Sequence, residues 1–106
     1  MNEIHDLTQL RDALREFAAA RDWRPFHTPK NLAMAMIVEA AELVEHFQWL
    51  TPEQSYSLSA EKLAQVRDEV ADTLIYLVEL ADVLGLDPIA AARDKIAKNA
   101  IKYPPP

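Results

Sequence analysis

Leu32-Ala33-Met34-Ala35-Met36-Ile37-Val38-Glu39-Ala40-Ala41-Glu42-Leu43-Val44-Glu45-His46-Phe47 decides the fold of this 106-residue chain. Twelve of these sixteen residues are apolar, and at helical spacing they cover almost the whole circumference. A helix of that kind is buried on more than one side. Thr28 before Pro29 opens it, a capping side chain followed by a first-turn proline, and it runs to about Phe47 or Trp49. Three acids interrupt the apolar run, and the first two, Glu39 and Glu42, form an i, i+3 pair. After a gap of 26 residues a second largely apolar helix carries a matching pair, Glu69 and Asp72.

Working outward, Asp6 and Gln9 form a start signal for a helix from about Leu7 to Arg21, with Leu7, Leu10, Leu14 and Phe17 on one stripe. Trp23 to His27 reads as a connector. Thr51-Pro52-Glu53-Gln54 repeats the start signal for a short helical turn, and Ser57 or Ser59 caps the next long helix. That helix runs from Ala60 to about Leu84, with Leu63, Val66, Val70, Leu77 and Leu84 as its core stripe, and Gly85 ends it. Asp87-Pro88 opens a last helix to about Lys102, which Pro104-Pro105-Pro106 forbids to continue. The expectation is an all-α, four-helix bundle forming a single domain over residues 1–106. Four helices offer the segment at 32–47 few neighbours, so a subunit interface is expected to cover its second side, making the protein a homo-oligomer.

Composition narrows the function classes. Only one glycine and 50% hydrophobic residues argue against disorder and against a turn-rich β fold. The chain has no cysteine, which excludes disulfides and thiolate metal sites and fits a reducing interior. No apolar run is long enough to span a membrane, and Met1 to Asp6 lacks the basic start of a signal peptide, so a cytoplasmic protein is expected. Seventeen Asp and Glu against eleven Lys and Arg give a net charge of −6, which repels a phosphate backbone. Polymeric nucleic acid is therefore excluded as a partner, whereas a small anion held through metal is not.

Residues three apart on a helix share a face, so each acid pair is a ready clamp for a hard cation. Two carboxylates about 4 Å apart repel by about 1 kcal/mol in water and about 4 kcal/mol where partly buried. Four of them converging without a cation would destabilise the fold. A di-iron bundle needs Glu-x-x-His on two helices, but Leu43 stands three before His46. An EF-hand loop is absent. What remains is an all-oxygen, helix-borne site suited to Mg²⁺ or Mn²⁺, and Mg²⁺ completes its shell with water and phosphate oxygens, which points to a phosphorylated ligand.

Other residues keep two readings at this point. His46 falls in the sector of Glu39 and Glu42, and Tyr76 in that of Glu69 and Asp72, but His27 and His46 have no second histidine at ligand spacing. Glu45 and Glu79 read as solvated boundary residues. Lys95, Asn99 and Lys102, followed by Tyr103, form either a solvated basic face or an anion-binding strip. Trp23 and Trp49, each just outside a helix end, are packing anchors or platforms for a base.

The acid pairs and their flanks together resemble the all-α nucleoside triphosphate pyrophosphohydrolases of the MazG type. The resemblance is closest to the dCTP pyrophosphatase branch. Arg21-Asp22-Trp23, Phe26-His27-x-Pro29-Lys30-Asn31-Leu32, Glu42-Leu43-x-Glu45-x-Phe47-Gln48-Trp49, Asp72-x-Leu74-Ile75-Tyr76-Leu77 and Lys95-x-x-x-Asn99-x-x-Lys102-Tyr103-Pro104 carry it along most of the chain. It implies a helical bundle assembled as a homodimer or homotetramer. Such an enzyme uses Mg²⁺ to cleave a (deoxy)nucleoside triphosphate, dCTP first, into monophosphate and pyrophosphate. It further implies that Glu39, Glu42, Glu69 and Asp72 are the metal-holding catalytic acids. Trp23, His27, Trp49 and Tyr76 would line the nucleotide pocket, while Lys95, Asn99 and Tyr103 would touch phosphate or sugar. Lys30, counted with the substrate-binding residues, and Lys102 stand where relatives carry Arg, and Val38 where many carry Glu; lysine offers a point charge instead of a fork. The rival from another class is a non-catalytic helical dimerisation module with solvated acids.

Overall fold

Each helix begins where the sequence supplies a side-chain oxygen for otherwise unpaired backbone N–H groups. In the computed structural model, which describes residues 3–106, α1 spans Leu7–Ala20, α2 Pro29–Glu45, α3 Pro52–Ser55, α4 Ala60–Val83 and α5 Pro88–Lys102. A 3₁₀ turn at Arg24–Phe26 joins α1 to α2. Asp6, Thr28, Thr51 and Ser59 accept from the N–H of Gln9, Asn31, Gln54 and Lys62, and Asp87 from those of Ile89 and Ala90. Gln54 completes a capping box by accepting the Thr51 N–H at 2.9 Å. The architecture is all-α, with no strand among the described residues.

Two helices end in a left-handed residue. Gly85, at φ +69°, lets Leu86 N–H reach Ala81 O at 2.8 Å and its own N–H reach Asp82 O at 3.0 Å, closing α4. Asp22, at φ +56°, closes α1 the same way, with Trp23 N–H on Ala18 O at 3.0 Å. That reversal folds Trp23 back onto Phe17, edge to face with ring centroids 5.6 Å apart, and brings it beside His27. α2 stops at Glu45, a turn short of expectation, because the following N–H groups of His46 and Phe47 bond three residues back and the chain enters turns through Trp49.

α2 lies antiparallel along α4. His46 meets Lys62 at 3.3 Å, Glu39 meets Glu69 and Asp72, and His27 meets Glu79 at 3.4 Å, so one number falls as the other rises. α1 is fixed to α4 by Arg15, whose guanidinium donates to both oxygens of Asp82 at 2.8 and 2.5 Å. Among the described residues the buried apolar side chains are Ala18, Leu32, Val66 and Val78, one or two from each of these helices, with Leu32 fully enclosed.

Among the described residues α5 packs extensively along no other element, and every residue from Ala91 to Lys102 is exposed. The radius of gyration is 16.6 Å, against about 13 Å for a compact domain of this length. One chain therefore supplies four long helices without closing them into a bundle. The expected core stripe of α4 is corrected in the same sense: Val66 is buried, but Leu63, Val70, Leu77 and Leu84 stay between 45% and 57% exposed. On α2, Met34, Ile37, Val38 and Val44 are also exposed; at 3.6 residues per turn Met34, Ile37 and Val44 occupy the side opposite Glu39 and Val38 lies on the flank. No helix among the described residues is long and apolar enough to cross a membrane.

Candidate active site

The antiparallel pairing of α2 and α4 brings the acid pairs together. Glu39, Glu69 and Asp72 each offer a carboxylate oxygen within 4.8 Å of the others. Glu42, one turn along α2, is not part of that cluster but lies near enough to Glu39 to hydrogen-bond it and raise its pKa. Glu39 and Glu69 are half-buried while Asp72 is exposed, so the group opens at one edge. Burial first, then a hydrogen bond shared with Glu69 and the charges of Glu42 and Asp72, push the Glu39 carboxyl up to about 7. Oε2 of Glu69 is buried with no hydrogen-bond partner among the described residues. A carboxylate that keeps its proton near neutrality beside an orphaned carboxylate oxygen is a donor set short of positive charge. Its all-oxygen chemistry fits a hard divalent cation.

That arrangement sets a pH dependence for the metal-free protein. The Glu39 carboxyl titrates near 4.5 when unfolded and near 7 when folded, so the folded state holds the extra proton. The resulting stabilisation is fully present below pH 4.5 and is lost as pH rises through 7. In chelator, the melting temperature is expected to fall between pH 5 and 8, and Glu39→Gln to flatten that fall; differential scanning fluorimetry reads both.

Beyond the acids, α4 continues the same face through Tyr76 to Glu79. The Tyr76 hydroxyl is pushed up by burial and then by the charges of Glu39, Glu79 and Asp72, which places it electrostatically between the acid cluster and Glu79. His27 Nδ1 lies 3.4 Å from Glu79 Oε2, and the Trp23 ring stands 6.2 Å from that of His27. Of the residues that the resemblance assigns to the nucleotide, Tyr76, His27 and Trp23 thus line up along one side of α4.

The others do not gather within one chain. Trp49 is 86% exposed beyond the end of α2, and Lys30 is exposed in its first turn. Lys95, Asn99 and Tyr103 lie exposed on or just after α5, with the Lys102 ammonium over the Tyr103 ring. His46, in the sector of Glu39 by sequence, bonds Lys62 instead. Glu79 corrects the solvated reading: its side chain is 14% exposed and faces His27. The signal that could have found it is its place in the apolar run Leu77-Val78-Glu79-Leu80-Ala81, two helical turns after Asp72.

Comparison with known proteins adds relatives along most of the chain. The MazG-like family matches residues 34–106. Proteins named dCTP pyrophosphatase 1 from Bos taurus and Homo sapiens are each 40% identical over 100 residues, covering 92% of this chain and 59% of theirs. The chain therefore spans less than two thirds of the length of these curated relatives. A crystal structure described as a pyrophosphatase from Archaeoglobus fulgidus superposes with a TM-score of 0.89 at 42% identity, over 99% of this chain and 98% of that one.

Proposed function

Because the chain belongs to the MazG-like family, we propose that it is a nucleoside triphosphate pyrophosphohydrolase. It acts on dCTP or a related pyrimidine deoxynucleotide and releases the monophosphate and pyrophosphate. The observation that carries this reading is the convergence of Glu39, Glu69 and Asp72 from two helices in a chain so similar to proteins named dCTP pyrophosphatase 1.

In this reading Glu39, Glu42, Glu69 and Asp72 hold Mg²⁺, with Mn²⁺ satisfying the same donors. When bound, the cation neutralises charge on the phosphate oxygens. One of the carboxylates orients the attacking water and takes its proton. Tyr76, His27 and Trp23 extend from the acids toward the nucleoside. Lys30, Trp49, Lys95, Asn99 and Tyr103, exposed in one chain, reach the nucleotide from a second copy, so the active unit is a homodimer or homotetramer that completes the helical bundle. The exposed apolar sides of α2 and α4 support that assembly, since soluble monomers seldom leave such patches open. A soluble nucleotide substrate implies the cytoplasm as its place of work.

Phosphate release from the eight common nucleoside triphosphates, with and without added inorganic pyrophosphatase, tests the proposal. The expected result is phosphate only when both Mg²⁺ and pyrophosphatase are present, with dCTP turned over best. A self-associating chain that turns over none of them would favour the non-catalytic dimerisation module instead, for which the exposed apolar faces are equally suitable.

A further inference from the structure

A cavity farther along α4 than the acid cluster holds a carboxylate that the reaction does not use. It measures about 120 Å³ and lies between α1 and α4, lined among others by Leu14, Ala18, His27, Val78 and Glu79. Glu79 Oε2 is buried there and receives no hydrogen bond among the described residues. Three arginines line the cavity, and none donates to that oxygen: Arg15 is committed to Asp82 and Arg11 to Asp12, and Arg24 makes no bond to it either. His27 Nδ1, at 3.4 Å, is near without making a well-formed hydrogen bond. A buried acceptor left open in this way favours an incoming N–H donor.

Two further facts set the class of donor. Glu79 lies seven residues after Asp72, which puts it about 10 Å farther along the same face of α4, with Tyr76 between them. A group reaching the cavity from the acid cluster is therefore the far end of the molecule whose phosphates sit at the acids. A cavity of about 150 Å³ admits one benzene ring, so the smaller space here, about 120 Å³, takes at most a single ring and excludes a fused pair.

We infer that Glu79 is a specificity-determining residue, accepting a hydrogen bond from the exocyclic amino group of a cytosine seated against His27. This inference rests on the nucleotide reading of the acid cluster. Cytosine presents an N4 amino donor where thymine and uracil present the O4 acceptor. The same carboxylate that pairs with the amino group repels the carbonyl. His27 has a ring N–H to offer the acceptor edge of the base.

Glu79→Gln keeps the shape but presents an amide that can donate to O4. The kcat/KM ratio of dCTP to dTTP is expected to fall about tenfold or more in this variant, the equivalent of one lost hydrogen-bonded discrimination. A variant that folds and turns over dNTPs with an unchanged ratio would overturn the inference and leave the reaction standing. A wild-type chain inert toward every nucleotide would overturn both. Wild-type protein alone gives a second test that no folding defect can obscure: dCMP with Mg²⁺ should raise the melting temperature more than dTMP does, and equal shifts would overturn the inference.

Discussion

Glu69→Gln is expected to lower kcat for the preferred dNTP by roughly a hundredfold to a thousandfold, the scale of losing one group that acts on charge developing in the transition state. The physical reason lies in the cluster. Glu69 supplies a buried oxygen that none of the described residues satisfies, and its neighbour Glu39 keeps a proton near neutrality through burial first and then through the carboxylates around it. An amide at 69 removes a charge and can donate to Glu39, so the metal-free variant should melt no lower than wild type. Mg²⁺ at about 100 times its dissociation constant should stabilise wild type by about 2.7 kcal/mol and the variant by much less. Loss of activity with retained metal-free stability and lost metal response separates a ligand from a mere structural residue. A variant that melts well below wild type in chelator would contradict this account of the cluster.

The second large effect concerns assembly. Ile37 is 61% exposed on the side of α2 opposite Glu39, so a charge there meets only water in a lone chain. In an apolar interface the same charge removes a central contact, weakening association by about 2 kcal/mol or more, roughly thirtyfold. Light scattering should find wild type at a multiple of 12.0 kDa and Ile37→Glu shifted toward the single chain. Because Trp49, Lys95, Asn99 and Tyr103 stand away from the acids in one chain, turnover should fall with the mass. Full activity in a monomeric variant would mean that these residues play no part.

How far the sequence could be read follows from how local each feature is. Helix starts were legible because each rests on a few adjacent residues: Thr28-Pro29 and Asp87-Pro88 set both a cap and a first-turn φ wherever they occur. The acid pairs were legible because charge inside an apolar helix needs a partner. The left-handed turn at Asp22 was not, since aspartate adopts it only where the reversed chain repays the strain, here by packing Trp23 on Phe17. Glu79 was missed because its burial depends on where His27 lands and on Asp82 occupying Arg15, contacts between elements far apart in sequence. Periodicity likewise marked Leu63, Val70 and Leu77 as apolar without saying whether their cover comes from the same chain.

The measurement that bears most directly on the central claim is hydrolysis of dCTP with Mg²⁺ in water enriched in ¹⁸O, followed by mass spectrometry of both products. Attack on the α phosphorus puts the label in dCMP and leaves pyrophosphate unlabelled, and chelation of the metal stops the reaction. Label in the pyrophosphate, stepwise release through dCDP, or no metal-dependent turnover would contradict it.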